Sequence, residues 1–525
     1  MAKIEDKYKK LTDIEHCLLR PGMWIGSTKP QLSESWILTD DTFNKREISF
    51  TPAFIKVFDE IISNSADEHR RNPKLDTIKV EVDASSGKIS VWDNGGIPVV
   101  MHSEHNQWIP EMIFSSLKAG SNFNDDEGRS GAGLHGVGST LTNIFSTTFI
   151  VETCDKVNTY TQVFEDNMRK VGEPKIKKGG KPHTQITFSP ELSRFSMTEI
   201  DETTLDLLKT RAIHLAAANP NLKIWFNGTL YHYPKFLEYC KLYTGEAQLF
   251  FEESQNWSIG FSASNSGFQA ISFVNSVETK DGGTHVDYIV NQLIQYLREM
   301  IKKKHKVEIK PSELKQHLSV YINCTINNPS FNSQTKEKMI TEVKDFGSKH
   351  ELSEKIAKDI FKSEIVASIL DWIEKKNLAL ERAELRKLNN SLNKTKCPKL
   401  IDAQHKGDRG ICSLALFEGN SAMSAFRQYR NTQTQGAFPL RGKFINVSEM
   451  KNGDIIKNEE VVQIIAALGL KLGEDAFTYM TQSDQNITFE LSNGEIVRAN
   501  LHDEIQIDGS WVLVKDYLYR NKIKY

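Results

Sequence analysis

The sequence contains no apolar run that approaches the length of a membrane-spanning helix. Its first residues, MAKIEDKYKK, are polar and charged, unlike those of a secretory signal peptide. It has no internal repeat and no long low-complexity segment. These absences predict a globular protein that has no membrane as its partner.

Cysteine is scarce and is never closely paired along the sequence. The six cysteines show no CxxC spacing of the kind found in zinc sites and redox motifs. They are Cys17, Cys154, Cys240, Cys324, Cys397 and Cys412. This distribution predicts reduced, buried thiols in an intracellular, cytoplasmic protein, and no disulfide framework.

The chain also lacks an excess of either charge and lacks a Walker-type phosphate loop. Its 66 basic residues balance 68 acidic ones, so only local clusters can indicate a nucleic-acid partner. The nearest Walker candidate, residues 436–443, has the wrong spacing and is followed by Phe444 where a hydroxyl residue is required. From its length we expect about three or four domains.

The segment around which the chain is organised is FIKVFDEIISNSADE, residues 54–68. Read as a helix, it has an apolar stripe, formed by Phe54, Val57, Phe58, Ile61 and Ile62. Glu60, Asn64 and then Asp67 or Glu68 line up on the other face. A carboxylate can take a proton from water, and a carboxamide oxygen one turn away can hold Mg²⁺. The alternative is an amphipathic helix with a solvated acidic face.

Two predicted strands follow this helix, at residues 77–82 and 88–92. The second strand ends in Asp93, followed by Asn94-Gly95-Gly96. A buried carboxylate can accept a hydrogen bond from a base amine, and glycine lets the backbone approach a flat ring. The alternative is that Asn-Gly-Gly is simply a good turn.

A glycine-rich segment, GAGLHGVGSTLTNIFS at residues 131–146, comes next and leads into an apolar helix from Leu141 onward. Closely spaced glycines before a helix expose backbone N–H groups that can bind a phosphate chain. A glycine loop alone is weak evidence. Its position after the acid–amide helix and the strand–Asp–Gly turn, within about ninety residues, makes it informative.

A second unit begins near residue 236. Residues 271–297 predict a strand, a Gly-Gly turn and a long amphipathic helix, and residues 320–339 predict a buried strand followed by a polar loop. This loop carries Gln334-Thr335-Lys336, whose lysine could sense a terminal phosphate from a second domain. Residues 362–396 read as a long charged helix.

Two basic clusters are candidates for contact with DNA phosphates. Residues 175–183, KIKKGGKPH, read as a loop that is either such a contact or a solvated hairpin tip. The run Lys302–Lys306 follows the long helix and is either a solvated surface or the lining of a DNA passage.

A third unit begins near Cys397. Glu418 lies at the end of the predicted strand within residues 411–422, a position where metal ligands are often found, although it also reads as a lone acid. The last fifty residues read as short strands with Asn493-Gly494 and Asp508-Gly509 turns.

The order of the first motifs resembles the GHKL (Bergerat) ATP-binding fold, an α/β sandwich shared by gyrase, the large heat-shock chaperones, MutL and histidine kinases. The resemblance implies that Glu60 activates the attacking water, that Asn64 holds the Mg²⁺ of bound ATP, and that Asp93 contacts adenine. It implies further ATP-binding residues: Asp67, Asn94, Gly95, Ile97, Ser121, Asn122, Gly131, Gly133, Leu134, His135, Gly136, Val137, Gly138 and Thr140. The Asp93 motif is one residue shorter than the family's Asp-x-Gly-x-Gly, which puts the ring contacts of Gly95 and Gly96 in question.

The later motifs are similar to type II DNA topoisomerases, in which a QTK loop of a ribosomal-S5-like transducer domain reaches the ATP site. This implies that Gln334 and Lys336 act in catalysis. FEGNSA (residues 417–422) and PLRGKFINV (residues 439–447) resemble the first half of the Toprim metal-binding fold, in which Glu418 would help to hold the Mg²⁺ for DNA cleavage. The expected Asp-x-Asp-x-Asp-Gly strand is missing, and hard cations require several oxygens. We therefore expect no DNA cleavage by this chain alone.

The combination resembles the large subunit of the type II topoisomerase of T4-like phages. It implies an α/β multidomain chain: ATPase with N-terminal arm (1–235), transducer (236–390), partial Toprim domain (391–475) and β-rich tail (476–525). The implied partners are double-stranded DNA, a second copy bound through the arm near Tyr8, a cleavage subunit with the tyrosine, and a subunit that completes the Toprim site. The implied location is the host-cell cytoplasm.

Two rival hypotheses remain open at this point. One is an ATP-operated GHKL clamp or chaperone that performs no strand passage. The other is a non-catalytic regulator that binds partners and no nucleotide. Residues 419–422 and 439–443 count against the first, and the presence of both Glu60 and Lys336 counts against the second.

Overall fold

The computed structural model describes residues 10–119, 136–333, 336–392, 396–407, 409–440 and 458–470, and four short strands between 487 and 513. The chain forms two compact units, Met1–Leu370 and Asp371–Tyr525. Within the described ranges, none of the helices is long and apolar enough to span a lipid bilayer.

The helices, in chain order, are α1 (Asp13–Leu19), α2 (Pro21–Trp24), α3 (Pro52–Arg71), α4 (Ile109–Ser115), α5 (Gly138–Ile144), α6 (Glu202–Ala218), α7 (Phe236–Thr244), α8 (Thr284–His305), α9 (Pro311–Lys315), α10 (Glu354–Phe361), α11 (Glu364–Leu392), α12 (Gly419–Tyr429) and α13 (Glu459–Ala467). The strands of the first unit are β1 (Gln31–Thr39), β2 (Thr42–Phe50), β3 (Thr77–Asp83), β4 (Lys88–Asp93), β5 (Met101–His102), β6 (Gln107–Trp108), β7 (Ser146–Cys154), β8 (Asn158–Glu165), β9 (Lys170–Val171), β10 (Lys175–Lys178), β11 (His183–Pro190), β12 (Lys223–Phe226), β13 (Thr229–Tyr231), β14 (Phe250–Ser254), β15 (Trp257–Ala263), β16 (Gln269–Val274), β17 (Val277–Glu278) and β18 (Leu318–Cys324). Those of the second unit are β19 (Ser413–Glu418), β20 (Gln435–Leu440), β21 (Ile487–Glu490), β22 (Ile496–Ala499), β23 (Glu504–Ile507) and β24 (Ser510–Leu513).

A nine-stranded sheet forms the centre of the first unit, in the order β10-β8-β7-β11-β4-β3-β12-β13, with β9 paired to β8. Neighbouring strands of this sheet run antiparallel, except that β12 runs parallel to β3. Helices α3 and α6 contribute to the same hydrophobic core as the central strands. A mixed α/β architecture, as predicted, therefore holds the acid–amide helix against a sheet.

Helix α3 forms where the sequence predicts it and is slightly longer than expected. Pro52 occupies its first turn, where the missing N–H costs no hydrogen bond, and His69, Arg70 and Arg71 complement the helix dipole in its last turn. All five residues of the predicted apolar stripe are at most 2% exposed. Burial of this stripe fixes which face of α3 carries Glu60 and Asn64.

A second sheet lies further along the first unit, in the order β14-β15-β18-β16-β17. The predicted strand, Gly-Gly turn and long helix are confirmed as β16, Gly282-Gly283 and α8, and the predicted buried strand is β18. Phe273 of β16 and Tyr321 of β18 pack in one core with residues of α6 and α7. Helix α6 therefore contacts both sheets' cores.

Pro21-Gly22 starts the short helix α2, because proline is well suited to a first helical turn. Two local predictions were wrong. The run Lys302–Lys306 does not follow the long helix: its first four residues form the last turn of α8, where cations complement the dipole. Residues 175–178 of the predicted loop form the exposed edge strand β10, and residues 179–182 connect it to β11.

The second unit contains the parallel pair β19 and β20, with helix α12 between them in sequence. In the tail, β21 pairs antiparallel with β22 and β23 pairs antiparallel with β24, whereas the predicted turns at Asn493-Gly494 and Asp508-Gly509 lie outside the described residues. The predicted long charged helix is confirmed as α11. All six cysteines are free; four are buried, whereas Cys397 and Cys412 are only half-buried, against expectation.

Candidate active site

A pocket in the first unit is lined by side chains from elements around both sheets. It lies between α3, α6, the end of β17 and the segment that carries Lys336. Its lining residues are Lys56, Asp59, Glu60, Ile62, Ser63, Asn64, Asp67, Arg211, His214, Leu215, Ser276, Val277, Glu278 and Lys336. Five predicted site residues, Glu60, Asn64, Asp67, Lys336 and the nearby Gly138, are thereby close in space.

Glu60 is held from two sides. Lys56, one helical turn earlier, forms an ion pair with Glu60 Oε1, and both side chains are only 18% exposed. A Cβ placed on Gly138, at the start of α5, would lie 1.9 Å from Glu60 Oε2. Any side chain at residue 138 would therefore displace the carboxylate. Glu60 is thus a carboxyl group in a restricted position, which is what a general base requires.

Lys336 reaches the pocket from the second sheet's side. Its side chain is buried, and its backbone has a φ of +60°, a left-handed conformation that a residue with a side chain adopts at a cost of about 1–3 kcal/mol. Burial lowers the pKa of Lys336, and the carboxylate of Glu60 is the strongest influence in the opposite direction. The lysine is thus placed in the field of the candidate base.

The segment that carries Lys336 is fixed by backbone hydrogen bonds. Lys336 N donates to Ser333 O at 3.1 Å, and Met339 N donates to Gly282 O at 3.1 Å. Asp281 N donates to Glu337 O at 2.9 Å. The lysine loop and the Gly-Gly turn therefore form one local structure.

Asp93 is buried at the end of β4. Its Oδ2 accepts a hydrogen bond from Ser65 Oγ at 2.7 Å, and its Oδ1 accepts one from Gly95 N at 2.9 Å. Burial raises the pKa of Asp93 to about 6, although both hydrogen bonds act to lower it. The carboxyl group thus lies against α3 at Ser65, the residue after Asn64. It can accept a hydrogen bond from a donor such as a base amine.

The residues that follow Asp93 mainly support the fold. Asn94 Oδ1 accepts from Asp76 N and Thr77 N, each at 3.0 Å, and Ile97 N donates to Thr153 Oγ1 at 2.9 Å. A Cβ on Gly95 would lie 2.7 Å from Leu75, and one on Gly96 would lie 2.1 Å from the carbonyl oxygen of Cys154. The shortened motif therefore requires glycine for packing, whatever it binds.

Helix α5 is anchored beside the pocket. Thr140 is fully buried, and its Oγ1 donates to Ser116 O at 3.1 Å, so the hydroxyl is used inside the protein. Val137 precedes the helix, and Gly136 has a φ of +59°. The remaining predicted site residues, Ser121, Asn122, Gly131, Gly133, Leu134, His135 and Gln334, lie outside the described residues.

Glu418 belongs to the second unit. It ends β19, as predicted, and it is exposed. No cluster of three or more acidic, histidine or cysteine residues suited to a metal occurs among the residues that the structure describes.

Lys56, Arg211 and Glu278 are among the charged residues of the pocket that sequence reasoning missed. Lys56 was recognisable, because it lies four residues before Glu60 on the same predicted helix. Arg211 and Glu278 had no local pattern that indicated them, since their partners lie 152 and 67 residues from Arg211 in sequence.

Comparison with known proteins gives consistent similarities. The family model described as DNA gyrase B matches residues 233–388. Mouse DNA topoisomerase 2-beta is 41% identical over 492 residues, which cover 89% of this chain and 30% of that protein. Mouse DNA topoisomerase 2-alpha is 37% identical over 544 residues, covering 99% of this chain and 35% of that protein. The chain thus spans about a third of the length of these curated relatives.

Two solved structures are similar over about 70% of this chain. The ATPase region of Saccharomyces cerevisiae topoisomerase II is 36% identical, with a TM-score of 0.66, and the match covers 70% of this chain and 99% of that one. The ATPase and transducer domains of DNA topoisomerase II from Balamuthia mandrillaris are 37% identical, with a TM-score of 0.68, covering 71% and 99%.

The raised pKa of Asp93 predicts a pH-dependent stability. The folded protein binds this proton more tightly than the unfolded chain, so its contribution to stability falls as pH rises from about 4 to about 6, by about 3 kcal/mol in total. Asp93→Asn removes this titration. In thermal unfolding, the variant should gain stability relative to the natural chain as pH rises from about 4 to about 7.

Asp83→Asn is the matched control for this experiment. Hydrogen bonds from Ser85 and Ser86 lower the pKa of Asp83 to about 2. Its effect on stability should therefore stay nearly constant between about pH 5 and pH 7. A difference between Asp93→Asn and the natural chain that does not change with pH would show that Asp93 titrates normally.

Proposed function

This chain belongs to the type II DNA topoisomerases, and we propose that it is the subunit of such an enzyme that binds and hydrolyses ATP. The observation that carries the proposal is the approach of Glu60, on a helix of the first sheet, to Lys336, on a loop of the second sheet. We call the nine-stranded sheet with its helices the first module and the second sheet with its helices the second module. A base on one module and a cation on the other suit a reaction in which a phosphoryl group is transferred to water. Loss of the terminal phosphate on hydrolysis would then remove one of the contacts between the two modules.

The described residues suit a magnesium nucleotide. Glu60, Asn64 and Asp67 supply oxygen atoms on one helix, and Mg²⁺ in nucleotide sites takes only one or two protein ligands beside the phosphates. We propose that Asn64 holds the ion, which neutralises developing charge on the phosphate oxygens when bound. Lys336 would contribute further positive charge, and Gln334 would assist it.

Glu60 would orient and deprotonate the attacking water. The ion pair with Lys56 limits its rotamers, and Gly138 leaves space for it beside α5. Asp93 would accept a hydrogen bond from the amino group of adenine, in place of a solvent donor. We assign the phosphate contacts to residues 131–138 and further nucleotide contacts to Ser121, Asn122 and Thr140.

We propose the domain boundaries 1–235, 236–390, 391–475 and 476–525, with the first two as ATPase and transducer. The third would be half of a Toprim domain whose Glu418 shares Mg²⁺ with ligands from another subunit. The wider proposal is a divided enzyme of the T4-like phage type, acting in the host-cell cytoplasm. Two copies would close around DNA through their N-terminal arms, and a separate subunit with the tyrosine would make the double-strand break.

The direct test of the hydrolytic role is Glu60→Ala. ATP binding should remain within a few-fold of the natural chain, and turnover should fall by roughly 10²–10⁴, the usual contribution of a general base. Binding is measured by calorimetry with a non-hydrolysable analogue, and turnover by phosphate release. Glu81→Ala, which removes an exposed carboxylate from β3, is the control and should change neither quantity. An equal loss of binding and turnover in Glu60→Ala would contradict a catalytic role.

Duplex DNA tests whether the ATPase belongs to a strand-passing machine. We expect phosphate release by this chain to rise severalfold when duplex DNA is added, and the rise to disappear at high salt because the contacts are with phosphates. A turnover rate that duplex DNA never alters, alone or with cleavage partners, would favour an ATP-operated clamp that performs no strand passage.

A further inference from the structure

Arg211 of α6 lies between two carboxylates that belong to different parts of the first unit. Its Nε donates to Asp59 Oδ1 at 3.0 Å and its Nη2 donates to Asp59 Oδ2 at 2.8 Å, a bidentate pair with α3. Its Nη1 donates to Glu278 at the end of β17. One guanidinium thus joins the helix of the candidate base to the second sheet.

This three-residue bridge is largely shielded from water. The side chains of Arg211, Asp59 and Glu278 are 21%, 18% and 16% exposed. Burial acts to raise the pKa of Glu278, but His214 and Arg211 outweigh it and hold that pKa well below the usual range. Glu278 is therefore charged, and its attraction to Arg211 is strong because little water screens it.

Glu278 leads directly into the structure that holds Lys336. Thr279, the next residue, donates from its N to Ser272 O at 2.8 Å. Thr284 N donates to Met339 O at 3.2 Å, and a Cβ on Gly283 would lie 2.3 Å from that same oxygen. Residues 279–284 and 337–339 are thus packed too closely to move independently.

The other end of the bridge is next to the candidate base. Asp59 directly precedes Glu60 on α3. A second contact joins the far end of the same helix to the same hairpin, because Arg70 Nη2 donates to Ser276 Oγ at 2.8 Å. Helix α3 is therefore attached at two points to the β16–β17 hairpin, and through it to the lysine loop.

We propose that Arg211 and Glu278 are positioning residues that set the placement of Lys336 relative to Glu60, and so couple the hydrolytic site to the second sheet. The proposal rests on the proposed ATP hydrolysis. Neither residue needs to touch the nucleotide. Breaking the bridge should lower the rate of the chemical step more than nucleotide binding, because the lysine contributes where charge develops.

Glu278→Gln is the variant that tests the bridge. It keeps the size of the side chain and the Arg211–Asp59 pair, and it removes the charge that attracts β17. We expect kcat for ATP to fall about tenfold with KM changed by less than about threefold. In a Lys336→Ala background the same change should have little further effect, because the two residues act through one contact. Asp206→Asn, which breaks the Lys209–Asp206 pair within α6, should leave kcat unchanged.

Hydrogen exchange gives a readout that does not depend on turnover. In Glu278→Gln, the amides of Asp281, Thr284 and Met339 should exchange about tenfold faster, whereas Asp206→Asn should leave them unchanged. Arg211→Lys, which keeps the charge but cannot form the same fork, should show the same pattern and serves if Glu278→Gln folds poorly.

Exchange rates equal to those of the natural chain would overturn the proposal, and so would losses of kcat that add fully with Lys336→Ala. If the natural chain hydrolyses no ATP, the proposed function fails, yet the exchange measurement still decides whether the bridge holds the loop.

Discussion

The charged face of helix α3 is the constraint on which the candidate site depends. Its apolar face is buried with the central sheet, which leaves Lys56, Asp59, Glu60 and Asp67 on or near the opposite face in a partly dehydrated pocket. Charges removed from water are costly unless partners compensate them. The compensation comes from Lys56 on the same helix, from Arg211 on α6, and from Lys336 beyond the second sheet. The site is therefore complete only when both modules are docked.

This arrangement links the surroundings of Glu60 to the second sheet. Helix α6 contributes residues to the hydrophobic cores of both sheets. Its Arg211 pairs with Asp59 of α3 and with Glu278 of β17. A change in charge near Glu60 alters the electrostatic attraction on Lys336, because little water screens the interaction between these groups. The physical basis for coupling is thus a small set of mutually dependent ion pairs rather than a flexible hinge.

The sequence predicted those parts of the fold that depend on local pattern. The stripe of α3, the strands β3 and β4 and the Gly-Gly turn before α8 follow from periodicity and turn residues, and they are confirmed. The bridge of Arg211 could not be predicted, since a single arginine on a helix has no pattern until tertiary contacts assemble around it. The packing roles of Gly95 and Gly96 likewise became evident only from the neighbouring backbone and side chains.

Single-turnover hydrolysis by Lys336→Ala tests the central claim, that one site is built from both modules, most directly. With ATP binding retained, the rate should fall by about 10² or more, as expected for a group that stabilises developing charge. Lys338→Ala is the matched control, because Lys338 is exposed two residues further along the same segment. A Lys336→Ala variant that hydrolyses bound ATP as fast as Lys338→Ala would contradict the account, since the second module would then contribute nothing to the chemistry.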